Sequence, residues 1–268
     1  SYGMLAVRAP GNVNGECGPC LLGPISANET ARMRAAAVAT AIATDRNTEL
    51  LLTESVGTND PAQNIPPLPS SHRDSHSPGG TPLETVNTIQ PIVNQQEPSV
   101  LVMERDARPT FLSDLRASMA ERLADETDVL TVDGRGQADT IASILVPVAG
   151  GRHSQLAVEA ATAVAAANDA AVDLFHVVVD GSDESRERGQ RILESAAEHL
   201  TGDEEDDTWL YEASSAADAI TEQSTYYYLT VMGAPTVGPL ERFVFGSTAT
   251  EVKEHADSPI IVAHAQSQ

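Results

Sequence analysis

Positive charge is scarce in this chain. Of its 268 residues only 16 are basic, against 39 Asp and Glu, for a formal net charge of −23. Lys253 is the only lysine; every other basic residue is Arg. No basic patch can outweigh such a field, which argues against nucleic acid as a partner. Aromatic residues are few as well, at 4%, so the core that 41% hydrophobic residues allow must be built from Ala, Val, Leu and Ile. Two cysteines, Cys17 and Cys20, do not make a disulfide scaffold. Long apolar runs are missing too. The best of them, Ala157 to Val179, is cut by Glu159, Asn168, Asp169 and Asp173, whereas a bilayer span needs about 20 apolar residues. The opening Ser1 to Pro10 has no basic start followed by an apolar stretch. The expectation is a soluble, cytoplasmic protein.

Acidic excess together with the loss of lysine reads as adaptation to high salt. Carboxylates hold hydration while ions screen their mutual repulsion. A basic partner would account for the acid but not for the missing lysine. The charge is therefore taken as a halophilic habitat and not as a function.

What organises the chain is self-similarity at a long period. Ile144 to Val148 is a short β-rich run, followed by Gly150 and Gly151. From Ser154 an alanine-rich amphipathic stretch places Leu156, Ala160, Ala163, Val164 and Ala167 on one face. Asn168-Asp169 ends it, and Val172 to Val179 has the look of a buried strand. Shifted back by 124 positions, Leu21-Leu22 falls on Leu145-Val146, Thr30 on Ser154, Ala36 on Ala160 and Leu50 on Leu174. A later segment repeats at an offset of 129: Val102-Met103 matches Val231-Met232, Ser118 matches Ser247, and Val132 matches Ile261. The chain thus reads as a tandem duplication, each copy β-α-β, a middle section, then β-α-β. Such alternation predicts parallel sheets with helices on both faces.

The copies are unequal. In the second, Ser182 to Leu200 reads as an acidic helix, Thr208 to Glu212 as a strand and Ala216 to Gln223 as a helix. In the first, residues 57–82 hold six prolines and a Gly-Gly pair and are expected to form a long loop. Leu83 to Gln96 recovers one helix. The expected division is an N-terminal extension over 1–16, a degenerate domain over 17–136 and a fuller one over 137–268.

After the strand Tyr227 to Met232 comes Gly233-Ala-Pro-Thr-Val-Gly238, and then Phe245-Gly246-Ser247-Thr248 ahead of a predicted helix, Ala249 to His255. Glycines just past a strand let main-chain N–H groups face an anion. A helix N-terminus favours phosphate. Together they outline a phosphate cradle at the carboxyl end of a parallel sheet. Thr248 with Glu251 also fits a plain capping box, and Gly233 a tight strand exit.

This order of elements, closing on Gly233 and Gly246-Ser247, resembles the universal stress protein family, whose signature is Gly, two residues, Gly, nine residues, then Gly-Ser or Gly-Thr. The resemblance implies doubly wound, Rossmann-like domains of the adenine-nucleotide alpha hydrolase type, the first copy degenerate. For the family's nucleotide binders it implies ATP or a related adenine nucleotide. Carried over, Gly233, Gly246, Ser247 and Thr248 would touch phosphates and ribose, and Pro147, Val148 and backbone near Val177 would touch adenine. Two positions depart from the pattern: Thr236 stands at the middle glycine, and Ala149 where an acidic residue is usual. In the first copy Glu104 replaces Gly233 and Ala117 replaces Gly246, so that copy is expected not to bind phosphate.

The resemblance further implies pairing through the last strand, so Ile260 to Val262 and Leu130 to Val132 are expected to join the copies as an intramolecular pseudo-dimer, with a homo-oligomer also open. The function it implies is stress-response regulation without turnover, since no nucleophile–base pair or catalytic residue stands out. Relatives resembling this pair occur fused behind amino-acid transporters, so a ligand-free adaptor docking on a membrane protein is the alternative reading. A weaker one rests on Cys17-Gly-Pro-Cys20. Its spacing suits a redox dithiol or, with His72 and His76, a zinc site. Yet a strand, not a helix, is expected to follow it, and no metal site is assigned.

Overall fold

The computed structural model describes residues 4–7, 17–23, 29–53, 82–105, 120–133, 140–200, 207–234 and 258–267. Among these residues ten strands form one sheet. In chain order they are β1 (Met4–Val7), β2 (Cys20–Leu22), β3 (Leu50–Thr53), β4 (Val100–Arg105), β5 (Asp128–Asp133), β6 (Ser143–Pro147), β7 (Ala171–Val178), β8 (Asp207–Glu212), β9 (Leu229–Gly233) and β10 (Ile260–His264). The helices are α1 (Glu29–Asp45), α2 (Pro82–Gln96), α3 (Gly151–Asn168), α4 (Asp183–Ala197) and α5 (Ala216–Ser224).

Across the sheet the order is β1-β3-β2-β4-β5-β10-β9-β6-β7-β8. Within each half the crossover-connected strands run parallel, as the β-α-β alternation predicts. The two registers correspond. Cys20 lies beside Val100 as Ile144 lies beside Leu229, which is the match drawn from the sequence. Two other matches shift. Cys20 pairs Leu50 and Ile144 pairs Val172, so Leu50 stands where Val172 does and not Leu174. Likewise Leu101 pairs Val129 while Thr230 pairs Ile260, which moves the last strand's correspondence by the same two residues. A two-residue slip keeps every side chain on its own face, so hydrophobic alternation cannot detect it.

The halves meet at β5 and β10, which pair antiparallel: Ile261 with Val132, Val262 with Thr131, Ala263 with Leu130, and His264 with Val129. The two segments expected to join the copies therefore do pair. Side chains fasten the joint from both ends. The Asp133 carboxylate, wholly buried, accepts the Ile260 N–H at 2.9 Å, and Asp128 accepts the Gln266 N–H at 2.8 Å. At the far edge of the first half, β1 pairs antiparallel with β3. Strand β1, the described part of the N-terminal extension, thus lies beside β3, the place that β8 takes beside β7 in the second half.

One apolar core runs under both halves on the face covered by α1, α3 and α4. It includes Ala35, Ala39, Ala43, Ala157, Ala160 and Ala161 between the helices and Val102, Val132, Val146 and Val231 from the strands. Alanine at these positions lets α1 and α3 approach closely, which explains a core with so few aromatics. The Arg46 guanidinium, 3.3 Å from the Glu159 carboxylate, spans the two helices at the rim. On the opposite face α2 buries Ile89 and Val93 against Leu21, Leu101 and Val129. There α5 buries Ala219 and Ile220 against Leu145 and Phe175. The loop expected over 57–82 lies outside the described residues except for Pro82, which opens α2, and the helix expected over Ala249 to His255 lies outside them altogether.

Candidate functional site

Parallel strands of one half end together, and the loops leaving them form a crevice. At the carboxyl ends of β6, β7 and β9 there is a cavity of about 400 Å³, lined by Pro147, Val148, Ala149, Val177, Gly233 and neighbouring residues. The structure therefore brings together Pro147, Val148, Val177 and Gly233. Gly246, Ser247 and Thr248 fall outside the described residues.

The floor of this cavity follows from local chemistry. The chain leaves β6 at Pro147, and Gly150 adopts φ 84°, ψ 170°, a conformation confined to glycine. That turn sends it straight into α3 at Gly151, three residues before the expected start at Ser154. Ser154 instead turns back: its Oγ accepts the Ala149 N–H at 3.1 Å and braces the turn from inside the helix. Gly150 at the N-cap has no side chain with which to satisfy the first N–H groups, and no acidic residue lies in the first turn. The positive end of an 18-residue helix thus lies beside the cavity with neither a side-chain cap nor an acid in its own first turn.

Gly233 is held by a close approach. A Cβ there would lie 2.8 Å from the His153 carbonyl carbon, 2.9 Å from its Cβ and 3.0 Å from the Ser154 nitrogen. The end of β9 therefore presses on the first turn of α3, and only glycine leaves the room. In the first half Glu104 occupies the corresponding place near the end of β4 and is buried.

Two histidines, His153 and His176, also line the cavity. His176 Nδ1 lies 2.7 Å from the Val148 carbonyl oxygen. Because that oxygen only accepts, Nδ1 carries the proton. The ring ties β7 to the turn after β6. It fills the space where Gly189 of α4 has no side chain: a Cβ at Gly189 would lie 2.6 Å from His176 Cδ2. His153 Nδ1 accepts the Ala265 N–H at 2.8 Å, so the proton of the neutral ring sits on Nε2. Nothing in the sequence flagged either role, since each depends on a backbone group 28 or 112 residues away. Apart from these rings the described lining carries no ionisable side chain, and no Asp or Glu. In a chain of net charge −23 such a surface is unusual.

A match to the family model covers the second half, residues 140–264, and its description is the universal stress protein family. The match spans a little under half of the chain, and over these residues the chain is similar to that family. Among solved structures, a functionally unknown protein from Pseudomonas aeruginosa PAO1 is similar over 91% of this chain and 92% of its own, at 15% identity and a TM-score of 0.50. A universal stress protein from Archaeoglobus fulgidus covers 93% of this chain and 97% of its own, at 13% identity and a TM-score of 0.46. Another structure from Archaeoglobus fulgidus, of a universal stress protein in complex with dAMP, covers 47% of this chain and 99% of its own, at 16% identity and a TM-score of 0.37. At these identities the likeness is one of fold. No curated protein matches the chain.

The residues that match the family model thus hold the cavity, while Cys17 and Cys20 lie in the other half. Cys20 is buried on β2, its thiol donating to the Ala39 carbonyl at 3.6 Å, and burial pushes that thiol up to about 12. A reactive dithiol needs a thiolate stabilised at a helix N-terminus, and Cys20 has the reverse environment. Among the described residues no group of three His, Cys, Asp or Glu is placed to hold a metal; His72 and His76 lie outside them. No described helix is long and apolar enough to cross a membrane.

Proposed function

We propose that the chain is a non-enzymatic stress-response regulator whose second half, 137–268, binds ATP or a related adenine nucleotide. The first half, 17–136, is its duplicated and degenerate scaffold. The observation that carries this reading is a cavity whose described lining holds no carboxylate, beside the N-terminus of α3, which has no side-chain cap and no acidic residue in its first turn. About 400 Å³ lies within the range of small-molecule sites. Its apolar wall of Val148, Phe175, Val177 and Ile220 suits a base, and its polar end suits an anion. Pro147, Val148 and Val177 would line the base. Gly233, Gly246, Ser247 and Thr248 would face the phosphates, supplying backbone N–H groups and hydroxyls. Ala149 leaves out the acidic anchor usual in the family, so affinity rests on shape and on the phosphate end.

The test is mass spectrometry of small molecules released on denaturation, followed by thermal shift with ATP in molar potassium chloride. Nucleotide near one per chain is expected, or an ATP shift that disappears in Gly246→Asp and in Ala234→Glu, which sets a carboxylate on the cavity wall. A protein that is empty and stays unshifted by nucleotide would retire the reading in favour of a ligand-free adaptor.

A further inference from the structure

The chain has one Trp and five Tyr, and the Trp and four of the Tyr lie within residues 209–228. They gather at one edge of the sheet. Strand β8 ends the strand order, and among the described residues nothing pairs with its outer side. All six of its residues are exposed, including Trp209 at 51%, Leu210 and Tyr211. Natural edge strands are usually protected by Lys, Pro or a bulge. Here Thr208-Trp-Leu-Tyr211 carries none of these, and in an acidic chain it is a neutral window of four residues. The two faces of the strand are distinct. Leu210 points toward α4, its Cδ1 lying 2.7 Å from where a Gly189 Cβ would sit. Tyr211 points the other way, its ring 5.6 Å from that of Phe175, and Trp209 shares its face by alternation.

We propose that this edge pairs antiparallel with the same edge of a second copy, continuing the sheet across a two-fold axis at Leu210. The sequence is self-complementary in that register. Opposite residues of an antiparallel pair share a face, so Trp209 meets Tyr211 of the second copy on one side and the two Leu210 side chains meet on the other. Glu212 falls opposite Thr208, and no like charges face each other. The Glu212 carboxylate is already engaged by Arg186 at 2.5 Å, and that hydrogen-bonded ion pair lowers its pKa. A basic partner would find no unpaired acid in the window itself, whereas an identical edge offers the matching aromatic and the matching ladder. The sheet is already extended in this manner once, antiparallel, at β5–β10. This inference does not depend on the ligand reading.

The test uses the full chain in molar potassium chloride. Sedimentation equilibrium should report a reversible dimer, and Trp209, being the only tryptophan, should shift its emission to the blue as concentration rises. Leu210→Lys places an edge-blocking charge on an exposed position. It should raise the dissociation constant about tenfold or more, the scale of losing one hot-spot contact, and return the emission to that of exposed indole. Trp209→Tyr, which keeps the aromatic pair, should retain the dimer. A protein monomeric at every concentration overturns the proposal. So does a dimer that survives Leu210→Lys while Trp209 emission stays solvent-like, because the contact then lies elsewhere.

Discussion

Replacing Gly233 by alanine separates two roles that one glycine can play in this motif. A new Cβ would sit 2.8–3.0 Å from three atoms of His153 and Ser154, all backbone or Cβ, so no flexible side-chain end can swing aside. The first turn of α3 must retreat from β9 by several tenths of an ångström. Overpacking of this kind costs about 1–3 kcal/mol. Alanine also restricts the unfolded chain, which returns about 0.4–1 kcal/mol where the backbone conformation is one it accepts, as Gly233 at the end of a strand is. A net loss of about 1–2 kcal/mol, near the middle of the difference, follows, or roughly 2–8 °C in Tm for a chain of this size. Urea unfolding of ligand-free protein, followed by far-UV circular dichroism in molar potassium chloride, measures it. A Gly233→Ala protein as stable as the parent without ligand, but deficient in nucleotide binding, would refute the packing argument and leave the glycine's role to the phosphates alone.

The other expectations concern residues around the same half. His176→Leu removes the donor to the Val148 carbonyl and should cost about 1 kcal/mol of stability together with weaker nucleotide retention. His176→Asn, whose amide reaches a similar point, should recover most of both, and equal losses in the two variants would count against the brace. Tyr227 donates to Asp173, and burial, then the Asp173 carboxylate, hold its phenol above the ordinary tyrosine range. Since the folded state then keeps a proton that the unfolded state releases, stability should be undiminished below about pH 10 and fall as pH rises further. Tyr227→Phe should flatten that alkaline slope, and an unchanged slope measured by urea midpoints would reject it.

Much of this architecture was legible because strands and helices here announce themselves by different periods. The alanine-rich run with apolar residues three and four apart gave α3, and the β-rich runs gave β6, β7 and β9 within one or two residues. The start of α3 was missed by three residues because Ser154 has the chemistry of a cap. The structure uses it as a brace to Ala149 and leaves the cap to Gly150. Pro147, Val148, Val177 and Gly233 were legible as a group through the family motif. His153 and His176 were not, because the carbonyl or N–H that recruits an imidazole is set by strand order and leaves no mark near it in the sequence. The pairing partner of β1 was equally silent: four residues have no period with which to choose an edge.

The antiparallel joint between β5 and β10 has a consequence for signalling. With β9 on one side and β5 on the other, β10 has no free edge to offer another polypeptide. Its companion is tethered in the same chain, so the junction does not come apart on dilution and cannot readily be traded for a strand of another chain. A protein built this way carries its dimer partner permanently. Whatever the cavity of one half senses, forming this joint is not a step that waits on how much of the protein the cell makes.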